Sequence, residues 1–222
     1  MKHNSENTRK DIFINMQQEV FTGNVLDIGT DNYGVIYSLY KQYNDGAVIE
    51  YVHGREEREL IEKGSYDSCI LLFSLNNLWF KYNKRKFIKD ISEYLKENGV
   101  LYIWDIDKGY YKFFKGKVKI LLPDKKIKEI NLLDMNIFKD TSKDATLKML
   151  KEFFEIIDLK YSDNIYYIKA RKVSADYTQQ EVRNAEKGRT NVKNIINWNK
   201  FKVHSQQFGN KIFKSVHSRF KL

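Results

Sequence analysis

VLDIGTDNYG, residues 25–34, is the stretch on which the reading of this chain turns. Val25 and Leu26 lead into Asp27, Ile28 and Gly29; small and polar residues follow, and a helical apolar pattern begins beyond Gly34. A strand that turns sharply into a helix is what open α/β sheets use to hold a nucleotide-like ligand at a strand's carboxyl end. Gly29 lets the backbone turn and lets a ligand approach closely. Asp27 supplies acceptor oxygens for an amine or a hydroxyl.

Outward from that stretch the chain alternates strand and helix patterns. Val35, Leu39 and Tyr43 recur at helical spacing, and Asn44, Asp45 and Gly46 close that helix. AVIEYV, residues 47–52, reads as a strand, and residues 55–63 as a short helix after it. Tyr66 and Asp67 open SCILLF, residues 68–73, the near-continuous apolar run of a parallel strand buried on both faces. Cys69 within it is a core residue and not a nucleophile. The run ends in Ser74, Leu75, Asn76 and Asn77, at the same end of the sheet as the Gly29 turn. The two asparagines are either a helix cap or polar groups facing a ligand.

Phe87, Ile91, Tyr94 and Leu95 form an amphipathic helix closed by Asn98 and Gly99, and residues 100–105 a further buried strand. Asp105 and Asp107 at its end are turn residues or groups for a substrate amine. Residues 117–122 and 125–131 flank Pro123 and Asp124 as a hairpin. A helix capped by Thr141 or Ser142 turns Leu147, Leu150, Phe153, Phe154 and Ile157 inward, and IDLKYSD and NIYYIKARK are two closing strands. Near the start, residues from 7 or 8 onward read as a short amphipathic helix with Ile12, Phe13 and Met16 on one face.

VLDIGT, YDSCILLFSLNNL and YLKENGVLYIWD, in that order and spacing, resemble the class I S-adenosylmethionine-dependent methyltransferases over residues 25–172. The resemblance implies a Rossmann-like α/β fold: a mostly parallel sheet that ends in an antiparallel hairpin, with S-adenosylmethionine as cofactor. It places Asp27, Gly29, Thr30 and Gly34 in the cofactor loop, Phe73 and Ser74 beside the cofactor, and Asn76 toward the methyl acceptor; Asp105, from its place at a strand end, is the second substrate-side candidate. The loop departs from the family's D-x-G-x-G-x-G, with Asp31 and Tyr33 where the later glycines fall and Gly34 one position beyond. Only about forty residues separate Asp27 from Asp67, room for one strand-helix unit where the family has two. AVIEYV is therefore the family's second strand, with Glu50 as the ribose ligand, or its third, with Arg55 where an acid belongs. Glu50 is preferred, because residues 55–63 can then form the helix after it.

Composition bounds the alternatives. A chain of 222 residues, 42% hydrophobic with one proline, suits one folded α/β domain with an appendage. A single cysteine excludes an intramolecular disulfide, and four scattered histidines show no metal-ligand spacing. Residues 1–18 carry no signal-peptide pattern and no apolar run reaches spanning length, so a cytoplasmic protein with no membrane partner is expected. The Lys, Ile, Asn and Tyr content resembles that of proteins from AT-rich bacterial genomes.

The net charge of +10 is uneven: residues 173–222 hold ten Lys or Arg against three Asp or Glu, leaving +3 for the rest. The expected division is residues 1–172 as the methyltransferase-like domain and 173–222 as a basic helical extension, with helices over 179–197 and 206–220. Its interleaved aromatics pack on the domain, form a homodimer contact, or bind RNA or a protein partner. Two functions compete: methyl transfer to an unidentified acceptor, and a non-catalytic module acting through this tail.

Overall fold

Strands form where the sequence is apolar on both faces or alternates strictly, and helices where apolar residues recur on one side. The computed structural model describes residues 10–29, 33–43, 49–52, 61–78 and 81–173. The helices expected over 179–197 and 206–220 lie outside these residues, as does most of the one over 55–63. In chain order the elements are β1 (Lys10–Asn15), β2 (Val25–Ile28), α1 (Val35–Tyr43), β3 (Ile49–Val52) and β4 (Tyr66–Leu72). A 3-10 turn (Leu75–Asn77), α2 (Lys81–Tyr94), β5 (Leu95–Ile106), β6 (Phe114–Leu121) and β7 (Ile127–Asp134) follow. The last three are α3 (Lys143–Leu150), β8 (Phe154–Ser162) and β9 (Ile165–Lys172).

Six strands make the main sheet in the order β3-β2-β4-β5-β9-β8. The pairs β3 with β2, β2 with β4 and β4 with β5 are parallel, while β9 runs antiparallel to both β5 and β8. This is the mostly parallel sheet with a terminal antiparallel hairpin that the sequence implies. AVIEYV pairs directly with β2, as the second strand of a doubly wound sheet does. Among the described residues the next strand in the chain is β4, on the other side of β2.

Both faces of the sheet are covered. Phe87, Ile88 and Ile91 of α2 and Leu150 of α3 pack on Leu26, Cys69, Leu101 and Ile103. On the other face α1 and a small sheet, ordered β1-β6-β7, pack on Val25, Ile70, Tyr102 and Trp104. Each fully buried aliphatic side chain contributes about 1.5–3 kcal/mol of transfer free energy. Cys69 is completely buried, as its apolar neighbours predict.

Three local expectations are corrected. Residues 10–15 are a strand: Ile12 is buried and Ile14 half-buried while Asp11, Phe13 and Asn15 are exposed, a period of two. Its partner is β6, with Ile12 level with Val118, more than a hundred residues away and invisible to a local pattern. Next, α2 ends at Tyr94 and Leu95 already belongs to β5. Tyr66 pairs with Leu95 but Ser68 with Val100, so the residues between bulge out. Asn98 takes φ 62°, and a Cβ on Gly99 would sit 2.9 Å from the Lys96 carbonyl oxygen. Asn98 and Gly99 thus mark a bulge and not a helix end. Finally, α3 is capped by Ser142, whose Oγ accepts from the Ala145 N–H, but it stops at Leu150. Phe154 and Ile157 lie in β8, where β-branched Ile156 and Ile157 and pairing with β9 outweigh the helical spacing.

Candidate functional site

The carboxyl ends of β2, β4 and β5 meet at one edge of the main sheet, and side-chain bonds lock them there. Ser74 Oγ donates to the Ile28 carbonyl at 2.5 Å, and the Phe73 N–H donates to the Trp104 carbonyl at 2.8 Å. Asn77 Nδ2 donates to the Phe73 carbonyl at 3.4 Å. Phe73, buried, holds φ at 57°, a left-handed conformation that bulky residues adopt only where their surroundings impose it. Such strain costs on the order of 1–3 kcal/mol and clusters at ligand sites.

Asp27 projects from β2 on the face shared by Val25 and Ile70, and is level with Tyr51 of β3 and Ile70 of β4. It is only 8% exposed. No described residue donates a hydrogen bond to its carboxyl, and burial alone pushes its pKa up to about 7. A carboxylate buried without a compensating donor is costly, and among the described residues none offsets that cost for Asp27. Gly34, at φ 65°, opens α1 and accepts from both the N–H and the Oγ of Ser38. Gly29 follows β2 directly and is buried. Glu50 sits in β3 level with Leu26, one residue deeper in the sheet than Asp27. Thr30 lies outside the described residues.

Asn76 and Asp105 are brought together, on the α2 side of the sheet. The Asn76 N–H donates to Asp105 Oδ2 at 3.0 Å, and the Ile106 N–H donates to Asp105 Oδ1 at 2.7 Å. Asp105 is fully buried; burial raises its pKa to about 6 against those two N–H groups and the charges of Lys84 and Lys139. It is therefore a strand residue held by protein donors, not an exposed turn residue. Asp107 accepts from the Lys143 N–H at the start of α3. Asn76 lies inside the 3-10 turn, not at its N-cap, which is Ser74. Its side-chain Oδ1 is buried with no hydrogen-bond partner among the described residues.

Sequence reasoning missed three buried lysines beside this turn. Lys139 Nζ donates to the Asn76 carbonyl and pairs with Asp134 at 2.9 Å. Lys108 Nζ pairs with the same carboxylate at 3.2 Å. Lys84 Nζ donates to the Asp140 carbonyl at 2.5 Å, and burial lowers its pKa to about 8 against the nearby Asp105 charge. Lysine is almost always a surface residue, and nothing in the local pattern separates these three from the chain's other lysines.

No protein-family model and no curated protein matches the chain. Among solved structures it is similar to an S-adenosylmethionine-dependent methyltransferase from Mesorhizobium loti, at 9% identity and TM-score 0.45, over 67% of this chain and 90% of that one. A second is the 1,6-didemethyltoxoflavin N1-methyltransferase of Burkholderia thailandensis with bound S-adenosylhomocysteine: 11% identity, TM-score 0.44, 68% of this chain and 71% of that one. The N-methyltransferase NodS of Bradyrhizobium japonicum gives 9% identity and TM-score 0.43, over 68% and 86%. None of the three is related closely enough for a residue's role to pass to this chain.

Proposed function

We propose that the protein is an S-adenosylmethionine-dependent methyltransferase. The observation that carries this reading is Asp27, a buried carboxyl with no donor among the described residues, at the carboxyl end of β2 and beside Gly29. Its chemistry fits the cofactor's ammonium group, which would supply the missing donor and countercharge. In this reading Asp27, Gly29, Thr30 and Gly34 hold the amino-acid end, Glu50 the ribose hydroxyls, and Phe73 with Ser74 the wall at the end of β4. When bound, the cofactor supplies a methyl group already activated by its sulfonium. The protein's work is then to align an acceptor lone pair and exclude water. Asn76 Oδ1 is the acceptor-side group, and Asp105 positions it through the backbone N–H.

The test is the thermal midpoint in S-adenosylhomocysteine. With ligand about a hundredfold above Kd, the native state gains about 2.7 kcal/mol, a shift on the order of 5 °C or more. Asp27→Asn removes the shift. A folded wild-type protein whose midpoint ignores the ligand overturns the reading and favours the non-catalytic module.

A further inference from the structure

Two neighbouring loops beyond the end of β5 expose an unusual set of side chains. Tyr110, Tyr111 and Phe113 project from the first, and Met135, Ile137 and Phe138 from the second; Tyr111 is 80% and Phe138 75% exposed. The loops are not loose. The Tyr111 N–H donates to the Ile137 carbonyl at 2.7 Å, and Phe114 pairs with Asp134 across the β6–β7 ladder. Beneath them the buried Lys108 ammonium donates to the Asn136 carbonyl at 2.6 Å, the Lys112 carbonyl at 3.3 Å and the Lys139 carbonyl at 3.4 Å. Tyr111 is held at φ 61°, in the left-handed region. A buried cation and a strained backbone therefore fix apolar side chains outward, where a soluble surface gains nothing from them.

Within these two segments lysines outnumber acids. Residues 108–119 contain five lysines and no acid, and residues 131–139 contain one acid, Asp134, which is buried against Lys108. Lys117 and Lys119 are matched by Glu129 and Asp11. Lys112 and Lys115 are exposed with no acidic partner among the described residues.

We infer that this surface docks on an anionic lipid bilayer. Protruding apolar side chains suit a soft medium they can enter, whereas a small ligand needs a concave site. Tyrosine and phenylalanine rest at the headgroup level, and lysines beside them meet the negative surface potential. A second copy would set the same lysines against each other. A nucleic acid would stack on the aromatic rings but leave Met135 and Ile137 unused. Among the described residues no helix is long and apolar enough to cross a membrane; surface attachment needs none, and as a proposal it departs from the expectation of no membrane partner.

The experiment is co-sedimentation of the full chain with vesicles of phosphatidylglycerol and phosphatidylcholine, and with phosphatidylcholine alone. Wild-type protein is expected to pellet with the anionic vesicles. Phe113→Asp with Phe138→Asp should lower binding at least about fivefold, as should Lys112→Glu with Lys115→Glu, which changes charge alone. Circular dichroism checks that both variants keep the wild-type fold, and each pair stands in for the other if one does not. Wild-type protein left in the supernatant overturns the proposal. So does vesicle binding that both variants retain, which assigns it to the basic residues 173–222, and so does binding of polyuridylate in place of vesicles.

Discussion

In the proposed function Asp27 has opposite effects on stability and on cofactor binding. Its carboxyl is protonated more readily in the folded chain, with a pKa of about 7, than in the unfolded one, near 3.9. The folded state thus holds more protons between those values, and stability falls as pH rises from about 4 to 7. Asn has the same shape without the charge. Asp27→Asn is expected to raise the thermal midpoint of the ligand-free protein at pH 8 by several degrees, a gain on the order of 3 kcal/mol that vanishes toward pH 4. Melting curves of the two proteins across that range check it. Equal midpoints at pH 8 would mean that Asp27 has a donor of its own. Asp27 and Gly29 were legible as a pair in the sequence, because a strand-acid-glycine turn has few other uses. That no described residue donates to Asp27 was not legible, since it depends on tertiary neighbours.

At the scale of elements, β4 and residues 100–105 of β5 were readable from apolar runs alone, because strands buried on both faces admit no polar alternation. β1 was not, because its partner β6 is far away in sequence, and Ile12, Phe13 and Met16 also satisfy helical spacing. Nor was the lysine clamp, which joins β7, the loop after it and the Asn76 turn through Asp134, Lys108 and Lys139. Removing one partner of a buried ion pair strands the other, so Asp134→Ala, which strands both Lys108 and Lys139, should destabilise the protein by about 3–5 kcal/mol in urea unfolding. A loss below about 1 kcal/mol would show that the two lysines are solvated in its absence. Ile88→Ala, on the buried face of α2, should cost about 2–5 kcal/mol by a different route, a cavity against β4 and β5. The two losses should add within about 0.5 kcal/mol if the sites share no partner.

For the molecule as a whole, the main sheet, both its covering layers and every described candidate residue lie within residues 10–173, which carry little of the excess charge. The mostly parallel sheet and its antiparallel end match what the resemblance of the sequence blocks implies. The role of residues 173–222 rests on composition alone. A chain ending at residue 173 is expected to bind S-adenosylhomocysteine within about twofold of the full chain, because no candidate contact lies in the tail. A loss of tenfold or more would place part of the site there.

The most direct test of the central claim is calorimetric titration of the full chain with S-adenosylhomocysteine at pH 8 and at pH 6. A pocket organised around Asp27 predicts binding near −8 kcal/mol at pH 8, in the micromolar range. At pH 6, where a carboxyl of pKa about 7 is largely protonated, binding should be about tenfold weaker and Asp27→Asn should be weak at both. No heat of binding from the folded protein at pH 8 would contradict the account, and equal affinity at the two pH values would remove Asp27 from its centre.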